Sequence, residues 1–105
     1  MKKYFQVNDS ANKFVKFQVL YSKGGMNYFN GKVEKRGYWV SVSVINQEII
    51  NGVTIETVVV GSAAAGFKRF LLEVKRDSQK SFDQAVTIAE SMKIELVDKI
   101  LNAVK

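Results

Sequence analysis

The chain has 105 residues and a formal net charge of +6, and it contains no histidine, cysteine or proline. Its length suits a single domain, and 47% hydrophobic residues suit a folded core. The composition excludes disulfides, thiolate zinc sites, imidazole bases and thiol nucleophiles. No pair of carboxylates has the spacing of a hydrolase site. We therefore expect a protein that is not an enzyme and that uses no cofactor or metal.

The N-terminal residues lack the apolar segment of a signal peptide. No apolar run approaches the roughly 18 residues that a membrane-spanning helix needs. These two features predict a cytoplasmic protein without a membrane partner. The absence of cysteine is compatible with a reducing compartment.

The N-terminal part of the chain alternates apolar and polar residues as strands do. In residues 14–21 and 38–44 the apolar positions recur every second residue, which predicts two strands with one buried face each. On this alternation Trp39 lies opposite the valines at 40, 42 and 44. The Asn51-Gly52 pair between two β-rich runs predicts a hairpin, because both positions favour positive φ. Residues 4–7 add a further strand.

The period changes after Gly61. Phe67, Phe70, Leu71 and Val74 follow helical spacing, which favours a helix over 67–75, although a strand is the open alternative. A second helix is predicted to begin at Ser81 and to run almost to the end of the chain, with one continuous apolar stripe. The predicted fold is α+β: a single domain, 1–105, with a β-sheet part over 1–61 and a helical part over 62–105. Four to five antiparallel strands precede one or two C-terminal helices packed on the sheet.

The segment SKGGMNYFNGKVEKRGYW, residues 22–39, combines glycines, aromatic residues and cations. Proteins that hold single-stranded nucleic acid combine cations for the phosphates with aromatic rings on which bases stack. The sequence therefore predicts non-sequence-specific binding of single-stranded nucleic acid, DNA or RNA, on a basic and aromatic sheet surface. Phosphates are assigned to Lys23, Lys32, Lys35 and Arg36, base stacking to Tyr28 and Trp39, and an extension of the positive surface to Lys68 and Arg69.

The same residues fit a second interpretation. Turn geometry alone accounts for the glycines. The aromatic residues would then pack beneath a helix or into an interface between proteins, where such residues are enriched. Under this alternative the chain is a protein-interaction module or accessory protein that acts as a homo-oligomer.

Strands rich in basic and aromatic residues, followed by one long amphipathic helix, resemble the single-stranded nucleic-acid-binding group that includes the PC4-like coactivator, Pur and Whirly domains. That resemblance implies a curved antiparallel sheet with a helix, nucleic acid as the partner, and pairing into dimers. It rests on the order of elements and on no diagnostic motif. The segment KGGMNYFNGKVEKRGYWVSV is also similar to small uncharacterised proteins of gut bacteria and their phages.

Overall fold

A computed structural model describes residues 1–7, 11–26, 31, 33–61 and 67–103. It confirms the predicted α+β arrangement, an antiparallel sheet of five strands followed by one C-terminal helix packed on it. In chain order the elements are β1 (Lys2–Gln6), β2 (Lys13–Ser22), β3 (Gly25–Met26), β4 (Val33–Glu34), β5 (Gly37–Ile50), β6 (Val53–Val60), β7 (Lys68–Glu73) and α1 (Gln79–Ala103).

Strand β5 is the centre of the sheet. The strand order is β1-β2-β5-β6. Strand β2 pairs with one edge of β5, and β6 and β7 pair with different parts of its other edge. The first part of the 14-residue β5 therefore lies between β2 and β7, and its last part pairs with β6. Strands β3 and β4 form a separate two-stranded sheet.

The core lies between one face of this sheet and α1. The predicted alternation is confirmed at positions 15, 17 and 19 of β2 and 38, 40, 42 and 44 of β5, which are all buried in one core cluster with α1. The helix contributes its apolar stripe to the same core. The residues with at most 1% of their surface exposed are Val15, Phe17, Tyr38, Val40, Val42, Val44, Ala85, Ala89, Leu96 and Ile100 of this cluster, together with Ile45 outside it.

The predicted hairpin at Asn51-Gly52 is present and joins β5 to β6. Both residues have positive φ, 51° at Asn51 and 77° at Gly52, as a two-residue hairpin turn needs. The pairing of β2 with β5 ends at the Lys13–Asn46 pair. The hairpin therefore continues beyond β2 as a two-stranded projection over residues 47–56, whereas residues 57–59 of β6 lie beside the part of β5 that also pairs with β2. We call residues 47–59 the arm.

The helix predicted over 67–75 is wrong, since residues 68–73 form strand β7. The register with β5 shifts between Tyr38 and Trp39, so that Tyr38 pairs with Leu72 and Trp39 pairs with Phe70. Leu71 is the extra residue of this β-bulge. The bulge places apolar side chains on both sides of the strand, and this mixture imitates helical spacing in the sequence.

Helix α1 begins earlier than the sequence predicts. The Ser78 hydroxyl accepts a hydrogen bond from the amide of Ser81 at 3.2 Å, so Ser78 and not Ser81 caps the helix. The buried Tyr38 hydroxyl donates to the Asp77 carboxylate and accepts a hydrogen bond from the Ser78 amide at 3.1 Å. These contacts attach the start of the helix to the central strand. The described part of the chain holds no helix with the length and apolar character needed to cross a bilayer.

Candidate nucleic-acid interface

The candidate site lies on the sheet face that points away from α1. Trp39 stands between Tyr38 and Val40, which are both buried under the helix, and its own side chain is therefore on the opposite face. Among residues 1–7, 11–26, 31, 33–61 and 67–103, no helix lies on that side; Glu34 of β4 reaches Lys68 there, and Ile45, further along β5 on the same side, is buried. We call this side the uncovered face; its members around Trp39 are Gln18, Leu20, Ser41, Ser43, Lys68 and Phe70.

An aromatic pair occupies the middle of this face. Trp39 and Phe70 lie on paired strands with ring centroids 5.1 Å apart and planes inclined at 68°. The Trp39 indole nitrogen donates a hydrogen bond to the Lys35 carbonyl oxygen at 3.3 Å, which fixes the orientation of the ring. Both rings are only partly buried. A partly exposed, edge-to-face aromatic pair of this kind offers apolar ring surface to a ligand.

Two lysines lie over these rings. The Lys68 ammonium is 4.9 Å from the Trp39 ring centroid, and the Lys35 ammonium is 5.3 Å from that of Phe70. Each is a cation–π contact, worth about 0.5–1 kcal/mol at an exposed site. Lys68 also forms an ion pair with Glu34 at 3.2 Å. Positive charge is thereby held directly beside the aromatic surface.

Lys23 and Arg36 are brought together at the same end of the sheet. The Arg36 guanidinium donates to the Lys23 carbonyl oxygen at 3.0 Å, and both residues are exposed. Within the described part of the chain, no carboxylate lies at ion-pair distance from Lys23, Lys35 or Arg36. This end of the sheet therefore presents three cations to solvent.

A close approach at Gly37 sets β7 against β5 beside the aromatic pair. Gly37 has a φ of 149° and pairs with Glu73. A Cβ atom there would collide with the Leu72 carbonyl oxygen and would lie 3.0 Å from the Glu73 Cα. Only glycine fits this position without moving one strand. The close spacing of β5 and β7 that results places Phe70 next to Trp39.

Not all of the predicted site residues gather here. Arg69 pairs with Val40 and forms an ion pair with Glu95 of α1 at 2.8 Å. Arg69 therefore lies on the helix side of the sheet and is not part of the candidate site. The reason is again strand alternation, which sends Lys68 and Arg69 to opposite faces. Tyr28 and Lys32 lie outside the described residues.

Sequence reasoning missed Phe70, which it placed in the core on a helical stripe. The structure puts Phe70 on the uncovered face with Trp39. The alternation of Lys68 and Phe70 with Phe67 and Arg69 was the available signal for a strand. It was hidden by the bulge at Leu71, beyond which the inward positions change parity.

A second polar cluster lies further along the same face. Glu56 accepts hydrogen bonds from Lys16 at 2.9 Å and from the Tyr4 hydroxyl at 3.0 Å. The hydrogen bond from Lys16 holds the pKa of Glu56 below its usual value, and that from Tyr4 acts in the same direction. Burial and the neighbouring carboxylate raise the pKa of Tyr4. The charge of Lys16 is therefore largely neutralised by Glu56.

Metal ligands do not gather in the described residues, where no group of three or more acidic side chains has a geometry suited to an ion. No protein-family model, curated protein or solved structure matches the chain, so the proposal below depends on the geometry alone.

Proposed function

We propose that the protein binds single-stranded nucleic acid, without sequence specificity, on the uncovered face. The observation that carries this proposal is the partly exposed Trp39–Phe70 pair with Lys68 and Lys35 placed over its rings. A base stacked on such a ring contributes about 1–3 kcal/mol, and every base has a π-face to offer. The surface would therefore accept bases of any identity.

The cations supply the second part of the proposed interaction. Lys23, Lys35 and Arg36 would contact phosphates at the end of the sheet where they are exposed. Lys68 would exchange its ion pair with Glu34 for a phosphate oxygen. Phosphate contacts of this kind add affinity without reading sequence, and they release counterions.

A salt titration of oligonucleotide affinity tests the proposal. For single strands the slope of log affinity against log salt is about −0.7 per phosphate contact. Combining Lys35→Ala with Arg36→Ala should therefore flatten the slope by about one to two units. A double variant of α1, Lys93→Ala with Lys99→Ala, removes the same charge from the helix side and should leave the slope near that of the unmodified protein.

Two results would reject the proposal. One is the absence of measurable binding to single-stranded DNA and RNA at low salt. The other is an equal change of slope in the two double variants, since this would show that net charge alone governs binding and that the uncovered face has no special role.

The second candidate function is protein interaction, and the observation that favours it is the arm. Ile49, Val53 and Val58 are 76%, 60% and 60% exposed there. Exposed apolar patches of this kind mark interaction surfaces. Under this candidate the chain is an accessory protein of a phage or mobile element and acts as a homo-oligomer. Both candidates place it in the cytoplasm.

A further inference from the structure

The arm exposes apolar side chains on both faces of a two-stranded ribbon. The large side chains with between 44% and 76% of their surface exposed are Ile49, Ile50, Val53, Ile55, Val58 and Val59. An isolated two-stranded hairpin is marginally stable in water, and three or more strands are usually needed. The outer part of the arm, residues 47–56, therefore has no third strand, and a further strand beside β6 would stabilise it.

Strand β6 is an edge strand that carries no lysine, arginine or proline, although it has one bulge, at Val59, and one acidic residue, Glu56. One side of β6 pairs with β5, and no strand in the described part of the chain pairs with the other side. Natural edge strands are commonly blocked by lysine or proline. Residues 37–67 contain no lysine or arginine, although the chain has 16, and proline is absent throughout. The β6 edge is therefore open to another strand.

The charge of the arm decides which class of partner fits. Its only ionisable side chains are Glu48 and Glu56, on a chain whose net charge is +6. Glu56 is paired with Lys16 of β2 and Glu48 is exposed, so the arm itself offers no unpaired cation to nucleic acid or to an anionic lipid surface. A protein strand with β-branched, apolar residues fits instead, and β6 itself has this composition.

We infer that β6 pairs antiparallel with β6 of a second copy of this chain, across a two-fold axis perpendicular to the sheet. Such an axis joins an edge to itself and continues the sheet, as an isologous interface requires. Both uncovered faces then lie on one side of the joined sheet. This inference rests on the second candidate function, protein interaction, and not on nucleic-acid binding.

Four of the six exposed side chains, Val53, Ile55, Val58 and Val59, belong to β6 itself, whereas Ile49 and Ile50 lie on β5. Pairing along the β6 edge would join the unpaired backbone groups of the two copies and bring their β6 side chains next to each other on each face of the joined sheet. The contact would therefore consist of paired backbone together with cross-strand contacts between β-branched side chains.

The position of Glu56 limits the register. A two-fold axis at Glu56 would place two carboxylates opposite each other, which is unfavourable. An axis at Ile55 or at Thr57 avoids this and places β-branched residues opposite each other. Because residues on the axis face their own copies at the separation of paired strands, a cysteine at the axis position is suitably placed for a disulfide.

Sedimentation equilibrium of the full chain and its variants tests the pairing. The unmodified protein should have twice the monomer mass at micromolar concentration. Ile55→Lys should weaken association by at least about 100-fold, because a lysine on a strand edge opposes pairing. Ile94→Lys is the matched control: Ile94 is 75% exposed on α1, and its replacement should leave the dimer intact. Val58→Lys repeats the test if Ile55→Lys fails to fold by circular dichroism.

Cysteine cross-linking gives a second test of the β6–β6 pairing, because the chain contains no cysteine of its own. Thr57→Cys or Ile55→Cys should form a covalent dimer on mild oxidation, whereas Ile94→Cys should not. A monomeric unmodified protein would overturn the pairing, as would a dimer that persists in both lysine variants of β6. A monomer that still binds oligonucleotide rejects only the pairing. A dimer that binds none rejects only the nucleic-acid function and leaves the pairing supported.

Discussion

Trp39 and Phe70 face each other on neighbouring antiparallel strands, with their ring centroids 5.1 Å apart, on the side of the sheet that α1 leaves uncovered. Two features create this pair. The close approach at Gly37 brings β7 to the start of β5, and the bulge at Leu71 turns Phe70 outward while Leu72 stays inward. The aromatic surface is thus built by backbone geometry as well as by residue choice.

Trp39→Leu should weaken oligonucleotide binding while the fold is retained. Leucine keeps an apolar contact with Phe70 but has no π-face, so the loss of about 1–3 kcal/mol of stacking should raise Kd by roughly 5- to 150-fold. Fluorescence anisotropy of a labelled oligonucleotide measures this change. Phe82→Leu is the control, since Phe82 belongs to α1 and packs against Tyr38 on the other side of the sheet, and the Kd of this variant should be unchanged. Equal effects in both variants would contradict the stacking role.

Gly37→Ala should destabilise the protein strongly. The added Cβ would meet the backbone of β7 at Leu72, in a φ region that alanine disfavours. We expect a loss of more than about 2 kcal/mol of unfolding free energy, measured by urea denaturation. Gly52→Ala provides the comparison, because its positive φ is similarly unsuited to alanine while no atom lies within 4 Å of the added Cβ. Its cost should be about 1 kcal/mol. Similar losses in the two variants would show that the close approach is unimportant.

Tyr38→Phe should loosen the start of α1. The substitution leaves the Asp77 carboxylate without its donor and the Ser78 amide without its acceptor, at a cost of about 1–2 kcal/mol. A lower urea midpoint and faster amide exchange at residues 78–82 are expected. Tyr21→Phe removes a more exposed hydroxyl with one long 3.4 Å bond to the Lys75 carbonyl oxygen, and it should change the midpoint little. Unchanged exchange in Tyr38→Phe would count against the anchoring role.

Stability should fall with acidification below the usual carboxyl pKa of 4.5. Hydrogen bonds from Lys16, Lys3 and Arg69 hold the pKa values of Glu56, Glu90 and Glu95 below that value in the folded chain. Groups with a lowered folded pKa contribute stability that is fully present above 4.5 and is lost as the pH falls through the folded pKa.

Glu56→Gln and Lys16→Met isolate one of these groups. Each variant removes the Lys16–Glu56 ion pair, so each should show a shallower decline of Tm with falling pH than the unmodified protein. Thermal unfolding followed by circular dichroism at a series of acidic pH values provides the measurement. A steeper decline in either variant would mean that the ion pair does not act as described.

The sequence was sufficient to predict the parts of the fold with a regular period. Val40, Val42 and Val44 alternate with Trp39, Ser41 and Ser43, and only a strand places two such alternating sets on opposite faces. The Asn51-Gly52 turn and the stripe of α1 follow the same logic. This regularity also placed Trp39 opposite the helix-covered face before any contact was known.

The irregular parts escaped prediction because they depend on contacts between distant residues. The bulge at Leu71 exists only in the pairing of β7 with β5, and single-sequence periodicity contains no information on it. The cap at Ser78 is coupled to Tyr38, 40 residues away, whereas the local pattern favoured Ser81. Phe70 was missed as a site residue because of the bulge at Leu71.

Chemical-shift mapping with an unlabelled single-stranded oligonucleotide tests the central claim most directly, because it reports where the ligand lies as well as whether it binds. The account predicts perturbed amides over residues 35–41 and 68–70, together with the single Trp39 indole, and little change along α1 or the arm. Perturbations confined to α1 or the arm, or none at low salt, would contradict it.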